Sequence, residues 1–497
     1  MVDDRKSSTL EEGEEEEEED IVKKTYDYEK KTSSRTGIEG ARFTSDASSS
    51  NKIESTERSQ DHVSKSKPTI SQYWTLKDVL IILSLTFFIV AGPASDYVMS
   101  ILLVEFEDEF EINRTYSSSL SAFRSTATFT MQGCLAFCLL KLRPRRWMTM
   151  SVLLSCSGML AASIANDFSV VCLCWGMISG FGGGAAYMIV QAAIPELYPE
   201  KVATMTGVIF SGMGIGFTIW ASFLKYFADA LGWRSALRYG AMLNFVLSVP
   251  VFFVSIEFST SKTRKDAKTV VEEETPQSTK TWSDKKRAFM LKLRERRLVL
   301  LFVDILLVVL FSIGIYGHFF AFYEDSSMSN AEIDGILLSI GIANILGRPL
   351  FGTIADRVGR YRTLVVIQFM MSVLVATWFL TDSNVIGACV WSFFFSLFTS
   401  GFWPVIAGCI FKLTDRRYFS RMFGFASIFV FLPSCMFSPV LFGILRAAFD
   451  SYSGPSFICG IGSAIVTIMY SMSLGESESS ASKLHPNNAV PKIPFAA

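Results

Sequence analysis

Hydrophobic residues fall along this chain in long unbroken runs, not in the three-and-four spacing of a surface helix or the alternation of a half-buried strand. Runs long enough to cross a bilayer as a helix, about 20 residues each, lie at 78–104, 117–140, 147–165, 169–194, 203–227 and 236–257. A polar stretch at 258–296 follows, and then come 298–323, 333–355, 363–380, 385–411, 421–445 and 455–473. The pattern predicts six spanning helices, a linker and six more, an all-α membrane protein in two six-helix halves. Helices are required because lipid offers no partner to the backbone groups of an open sheet. The lack of two-residue alternation excludes a membrane barrel. The expected order is an arm at 1–70, a half at 78–257, a linker at 258–296, a second half at 298–473 and a tail at 474–497. Arm, linker and tail have little apolar surface to bury and are expected to be disordered.

Charge in the short loops predicts orientation. Lys141, Arg143, Arg145 and Arg146 separate spans 2 and 3; Arg357, Arg360 and Arg362 separate spans 8 and 9; Lys412, Arg416, Arg417 and Arg421 separate spans 10 and 11. The opposite side is acidic, with Glu105, Glu107, Asp108, Glu109 and Glu111 after span 1 and Glu324, Asp325, Glu332 and Asp334 after span 7. Both termini and the linker are therefore expected in the cytoplasm. The plasma membrane is the favoured location, with a vacuolar or other internal membrane as the alternative. No signal peptide precedes the first apolar run, so span 1 is expected to act as its own insertion signal. Asn113 opens a weak glycosylation sequon on the outer side. The linker cluster Lys285-Lys286-Arg287 with Arg294, Arg296 and Arg297 suits the anionic inner leaflet.

Composition narrows the class further. Half of the 497 residues are hydrophobic and 19% are charged, against about 25% in soluble proteins, which excludes a soluble globular enzyme. Lys plus Arg (46) and Asp plus Glu (47) nearly cancel, so nothing argues for a nucleic-acid partner. The nine cysteines all lie in apolar stretches and read as packed, reduced thiols. No metal cluster, cofactor motif or catalytic constellation emerges, so no cofactor is expected. The Gly182-Gly183-Gly184 run is not a phosphate loop, since no Lys-Ser or Lys-Thr follows and no strand precedes it. The Glu-rich arm reads as a solvated tail, and its Ser, Thr and Lys leave open regulation by a kinase or ubiquitin ligase.

The most specific segment is Gly347 to Arg362, where Gly352, Asp356, Arg357, Gly359 and Arg360 follow a Gly-x-x-x-Asp-Arg-x-Gly-Arg pattern. Glycines permit a tight helix-to-helix turn, and the Asp and arginines suit a charge network that holds two halves together and breaks as they rock. Lys141 to Arg146 stands at the equivalent place in the first half without the acid, the trace of an internal repeat. This pattern resembles the loop signature of the major facilitator superfamily. Within it, Tyr116 to Ser121, Leu197 to Gly207 with Ser211-Gly212, Leu231-Gly232-Trp233-Arg234, Ser339 to Gly352, Phe402-Trp403-Pro404 and Phe423-Gly424 resemble the monocarboxylate transporter family, and its fungal branch more closely. The likeness covers about residues 78–473. It implies transport of a small organic anion by alternating access. Against the animal members, Gln72-Tyr73-Trp74-Thr75 replaces an acidic-Gly-Trp motif, the span 1 lysine position falls near Tyr97, and the span 8 aspartate is Asn344, while its arginine is kept as Arg348.

Charges inside apolar spans are costly and functional by default. Arg348 is the leading anion contact, since its planar fork matches a carboxylate; the bland reading is snorkelling or pairing with Asp356. Asn344, one turn away, can orient Arg348, donate to substrate or join helices. Arg124 is a second anion contact or a snorkelling residue of the outer third. Asp96 leads Asp304 as a protonatable carboxylate, and His318 is either a proton-coupling group or a water-exposed histidine beside the acidic loop. Tyr97 and Trp403 are further substrate candidates; Tyr187 and Gln191 are weak cavity candidates, since aromatic stripes are more often core. Glycines of spans 4 and 5 permit sliding or mere close packing. The expected function is secondary transport of a monocarboxylate or other organic anion, with proton symport as the finer expectation. A facilitator of another metabolite and a non-transporting nutrient sensor are the alternatives, and a monomer is the default.

Overall fold

Proline fixes its own backbone and supplies no amide proton, so Gly92-Pro93 breaks the first helix. The computed structural model describes residues 76–484 apart from 113, 118, 139–143, 254–281, 327 and 383. The 1–70 arm, Asn113 and the 141–143 segment lie outside the described residues. Every regular element among those described is helical. Helix α1 is Leu76–Ala91, prolonged past the break by a 3₁₀ segment, Pro93–Leu102, and a short helix, Leu103–Phe110. Then come α2 (Ser119–Cys138), α3 (Pro144–Ala162), α4 (Phe168–Leu197, with a π-helical stretch Cys172–Ile178), α5 (Val202–Phe210 and Gly212–Leu231) and α6 (Trp233–Phe253). After the linker stand α7 (Arg296–Ser312 and Gly314–Asp325), α8 (Asn330–Val358) and α9 (Arg360–Thr377).

The next helix runs without interruption over 42 residues, Val385–Ala426, and a π turn carries it into Leu432–Phe449. It is nevertheless two rods. The rings of Phe411 and Phe419 are 5.8 Å apart and those of Trp403 and Phe431 are 5.4 Å apart. A straight helix would separate the first pair by about 12 Å of rise and the second by about 42 Å. The chain folds back around Arg416, giving α10 (Val385–Thr414) antiparallel to α11 (Tyr418–Phe449). The loop expected here is a helical turn, because Lys412 to Met422 contains no glycine or proline. Helix α12, Ser453–Leu484, runs past the expected end at 473.

Ten of these helical spans are both long and apolar enough to cross a membrane. The other two, α2 and α3, have 20 and 19 residues but carry more polar side chains. Several of those polar groups face protein, Arg124, Thr128, Gln132, Ser151 and Ser155 being buried, while Arg145, Arg146, Thr149 and Ser157 are exposed. The linker also departs from expectation, since Trp282–Leu293 is a helix. Its Phe289 ring meets Phe137 of α2 at 6.0 Å, so an amphipathic segment finds an apolar partner that composition alone conceals.

The two halves share one core at one end only. Val202, Ala203 and Ile209 of α5 join Phe351 and Ala355 of α8 and Phe402 of α10 in a single buried cluster. At the acidic-loop end the cores are separate, one around Phe106, Trp175 and Trp220 and another around Tyr323, Trp378 and Phe395. The halves are thus closed together at the basic-loop end.

The Leu231-Gly232-Trp233-Arg234 motif builds a clamp at the acidic end. Gly232 turns the chain at φ +80, a left-handed conformation suited to glycine. Arg234 then pairs with Glu109, donates to the Ala165 carbonyl at 3.0 Å and lies 4.3 Å over the Trp233 ring; Trp233 Nε1 donates to Glu109 at 3.0 Å. The Arg234 hydrogen bond first, and the Trp233 one second, hold the Glu109 carboxyl below its ordinary 4.5. A depressed carboxyl stabilises the fold above its unfolded value and loses that contribution as pH falls through the folded value. The melting temperature in nanodiscs is therefore expected to fall as pH drops below 4.5, and Arg234→Gln to flatten part of that fall. Parallel curves for both proteins would refute the clamp's share.

Candidate functional site

The basic-loop end is held by a network on the 352–360 turn. Gly352 has no side chain to keep α8 off α5, and a Cβ there would sit 2.3 Å from the Ala203 carbonyl oxygen. Asp356 Oδ2 accepts from the Thr204 amide at 2.8 Å, while Oδ1 pairs with Arg360 at 2.9 Å. Arg360 also donates to the Gly408 carbonyl at 3.0 Å. Gly359, at φ +124, ends α8 and lets α9 start at once. Arg357 is exposed and joins none of these contacts. Across the same end, Arg416 of the α10–α11 turn pairs with Glu196 at the end of α4, Nε to Oε2 being 2.9 Å. Both halves are thus tied through Asp356 and Glu196. These contacts would have to break for this end to open.

Deeper in the bundle, polar groups lack partners at a common level. The rings of Tyr187 (α4) and Phe210 (α5) are 4.5 Å apart. Because α4 runs toward the basic end and α5 away from it, Gln191 and Thr206 both stand one turn below that pair, on the same faces. Gln191 is fully buried, yet neither its amide nitrogen nor its oxygen has a partner, and the Thr206 hydroxyl has none either. A Cβ on Gly207 would lie 2.2 Å from the Arg348 carbonyl oxygen, which places Arg348 of α8 at this level. Arg348 is 3% exposed and its Nε donor is buried without a partner. Each such orphan costs about 1–3 kcal/mol. An aromatic wall lies above: Tyr187 stacks 6.4 Å from Phe423, Phe423 lies 5.7 Å from Phe431, and Phe431 5.4 Å from Trp403. Residues from both halves therefore converge on one level, with Arg348 its only charge among the described side chains named there.

Other candidates fall elsewhere. Arg124 does not snorkel: it is 1% exposed and donates to the Trp175 carbonyl at 3.1 Å and to Ser179 and Ser95 at 2.9 Å, tying α2 to α4 and α1. Arg348 neither snorkels nor pairs with Asp356, whose oxygens are taken by Thr204 and Arg360. Asn344 joins helices, its amide nitrogen donating to Ser396 of α10 at 2.7 Å. His318 of α7 is half-buried; its Nε2 donates to the Pro439 carbonyl of α11 at 3.0 Å and its ring lies 5.4 Å from Phe442. Asp304 sits inside the second half, where it accepts from Gln368 and, among the described residues, forms no ion pair with the basic-end charge network. Asp96 and Tyr97 belong to the 3₁₀ segment of α1, and their side chains lie outside those described. Thr206 passes unnoticed in the sequence as one more hydroxyl in a signature stretch.

The family model of the major facilitator superfamily matches residues 79–384 and 305–496. The chain belongs to that superfamily. It is a multi-pass membrane protein. It is similar to monocarboxylate transporter 10 of Homo sapiens, at 22% identity over 61% of this chain and 59% of that protein. It is similar also to the MFS-type transporter pynF of Aspergillus niger, at 21% identity over 63% of this chain and 69% of that one. The match thus spans about six tenths of the human protein's length. Among solved structures, the proton:xylose symporter XylE aligns over 78% of this chain and 94% of its own, with a TM-score of 0.59 and 14% identity. FucP in its outward conformation aligns over 79% and 98%, with a TM-score of 0.58 and 13% identity. These identities carry the fold and nothing finer. The order of the helices follows that fold.

Proposed function

We propose that this facilitator moves a small organic anion, a monocarboxylate or a relative of one, by alternating access across a membrane. The observation that carries the reading is the unpartnered Nε of buried Arg348 at the level of Gln191 and Thr206. A carboxylate supplies what that level lacks: anionic acceptors for the guanidinium and for the amide and hydroxyl donors. Similarity to a monocarboxylate transporter supports the same class. On the positive-inside rule the basic-loop end faces the cytoplasm, so the closed network at Asp356 and Glu196 describes the outward-facing member of the cycle. The plasma membrane is the proposed site, with both termini cytoplasmic and the arm open to kinase or ubiquitin-ligase control.

Counterflow in proteoliposomes tests this. Vesicles preloaded with a panel of small carboxylates should accumulate at least one labelled member against an empty-vesicle control, and a matched panel of sugars and amines should not. Flux of neutral solutes alone would defeat the anion reading. Binding of an anion without flux would replace transport by sensing.

A further inference from the structure

Within the second half, α7, α9 and α12 meet around a carboxyl that pairs with no cation among the described residues. Asp304 of α7 is 3% exposed. Its Oδ2 accepts one hydrogen bond, from Gln368 Nε2 at 2.6 Å, and its Oδ1 is buried with no partner. Gln368 of α9 is fully buried with its own Oε1 unpartnered, and the hydroxyls of Tyr470 (α12) and Tyr361 (α9) are likewise buried and unpartnered. Tyr470 lies within electrostatic reach of Asp304, Cys409 and Tyr361. Above Gln368 a chain of hydroxyls continues, Ser372 to Ser463 at 2.8 Å and Ser463 to Ser312 at 3.3 Å. The remaining interior is apolar: Leu301, Ile305, Leu364 and Ile367 are all fully buried.

An ionised carboxylate offers about four acceptor sites, and burying one with a single donor is strongly unfavourable, so such a group is neutralised instead. Among the described residues no cation pairs with Asp304, and Arg297, two turns before it on α7, lies within electrostatic reach of Tyr361. On α9, Arg360 is committed to Asp356 and to the Gly408 carbonyl, and Tyr361 is a phenol. On α10, Lys412 is exposed over the Tyr361 ring and Cys409 is a buried thiol. On α12 stands Tyr470, and on α11 Cys435, both uncharged in this form. A neutral Asp304 has one O–H, and the unpartnered Oε1 of Gln368, on the amide that already faces it, is the acceptor nearest to hand.

We propose that Asp304 is a proton-binding site inside the second half, carrying its proton while the basic-loop end is closed. The site lies in the seam of α7 with α9 and α12, whereas Arg348 lies where α8 meets α5. Its proton therefore acts on how α7 packs within its own half and does not compete with a solute for Arg348. The assignment rests on the fold, not on the anion reading, and either can fail alone.

Infrared difference spectra of the full chain in lipid nanodiscs test it with no substrate present. A carboxylic C=O band is expected at neutral pH, shifting when H₂O is replaced by D₂O. Asp304→Asn should remove it, whereas Asp356→Asn, at an ion-paired carboxylate, should leave it. Gln368→Met, which deletes the donor to Asp304, should move the band, so the test stays decisive even if Asp304→Asn fails to fold. No such band in the wild type, or one that survives Asp304→Asn or ignores Gln368→Met, overturns the proposal. So does a sodium-dependent rise in melting temperature that Asp304→Asn abolishes, since the oxygens would then be holding a cation.

Discussion

Arg348→Ala is expected to abolish uptake of the transported anion while leaving the protein folded, and even to raise its melting temperature when no substrate is bound. The two halves of this expectation have one cause. A charge-assisted hydrogen bond is worth about 1.5–3 kcal/mol, so losing two parallel bonds to a carboxylate lowers uptake by about 100-fold or more. In the substrate-free protein the same guanidinium is 3% exposed with Nε unpartnered. Removing it strands no acceptor and relieves a buried charge. Arg348→Lys should recover little of the uptake, because a point ammonium cannot match the two oxygens of a carboxylate as the fork does. Uptake in vesicles and a thermal melt on the same preparations check both halves. Normal uptake by Arg348→Ala would remove the anion contact. Lost uptake with a melting temperature lowered by many degrees would instead make Arg348 a structural residue.

What could be read from the sequence follows the physics of each signal. Apolar runs of membrane length map onto helices because a bilayer enforces backbone pairing within each segment. A basic cluster marks which side of the membrane a connection lies on but says nothing of its backbone, so the turn around Arg416 was expected as a loop and is helical. Arg348 stands out because a guanidinium in an apolar run is costly wherever it points. Arg124 stands out equally, yet its partners Ser95, Trp175 and Ser179 come from distant helices, and only packing separates a structural tie from an exposed ligand contact. Thr206 is the hardest case. Many helical hydroxyls here bond the carbonyl four residues back, as Ser84 does to Leu80 and Thr414 to Ile410. No property of the threonine in sequence announces that Thr206 does not.

Gly207→Val is expected to hold the basic-loop end open and so to stop transport without touching any ligand group. A Cβ at this position would lie 2.2 Å from the Arg348 carbonyl oxygen and 2.7 Å from its carbon, both backbone atoms that no rotamer change can move. The same close approach recurs where Gly214 of α5 meets Ile345 of α8 at 2.8 Å and Gly352 of α8 meets Ala203 of α5 at 2.3 Å. Helices α5 and α8 come from different halves, so relief requires the halves to part at this end. Overpacking of this kind costs about 1–3 kcal/mol, enough to shift a two-state equilibrium by about 5- to 150-fold. The measurement is cross-linking of Glu196→Cys to Arg416→Cys with a short bifunctional maleimide, in a background with the native thiols replaced. Those side chains pair across the closed end. Gly207→Val should lower the cross-linked yield several-fold and cut uptake with it, while Gly335→Val, at an exposed position where a Cβ meets nothing within 4 Å, should change neither. Unchanged cross-linking alongside lost uptake would mean that the valine spoils the Arg348 level itself, and unchanged uptake would mean that transport never passes through this closed seam.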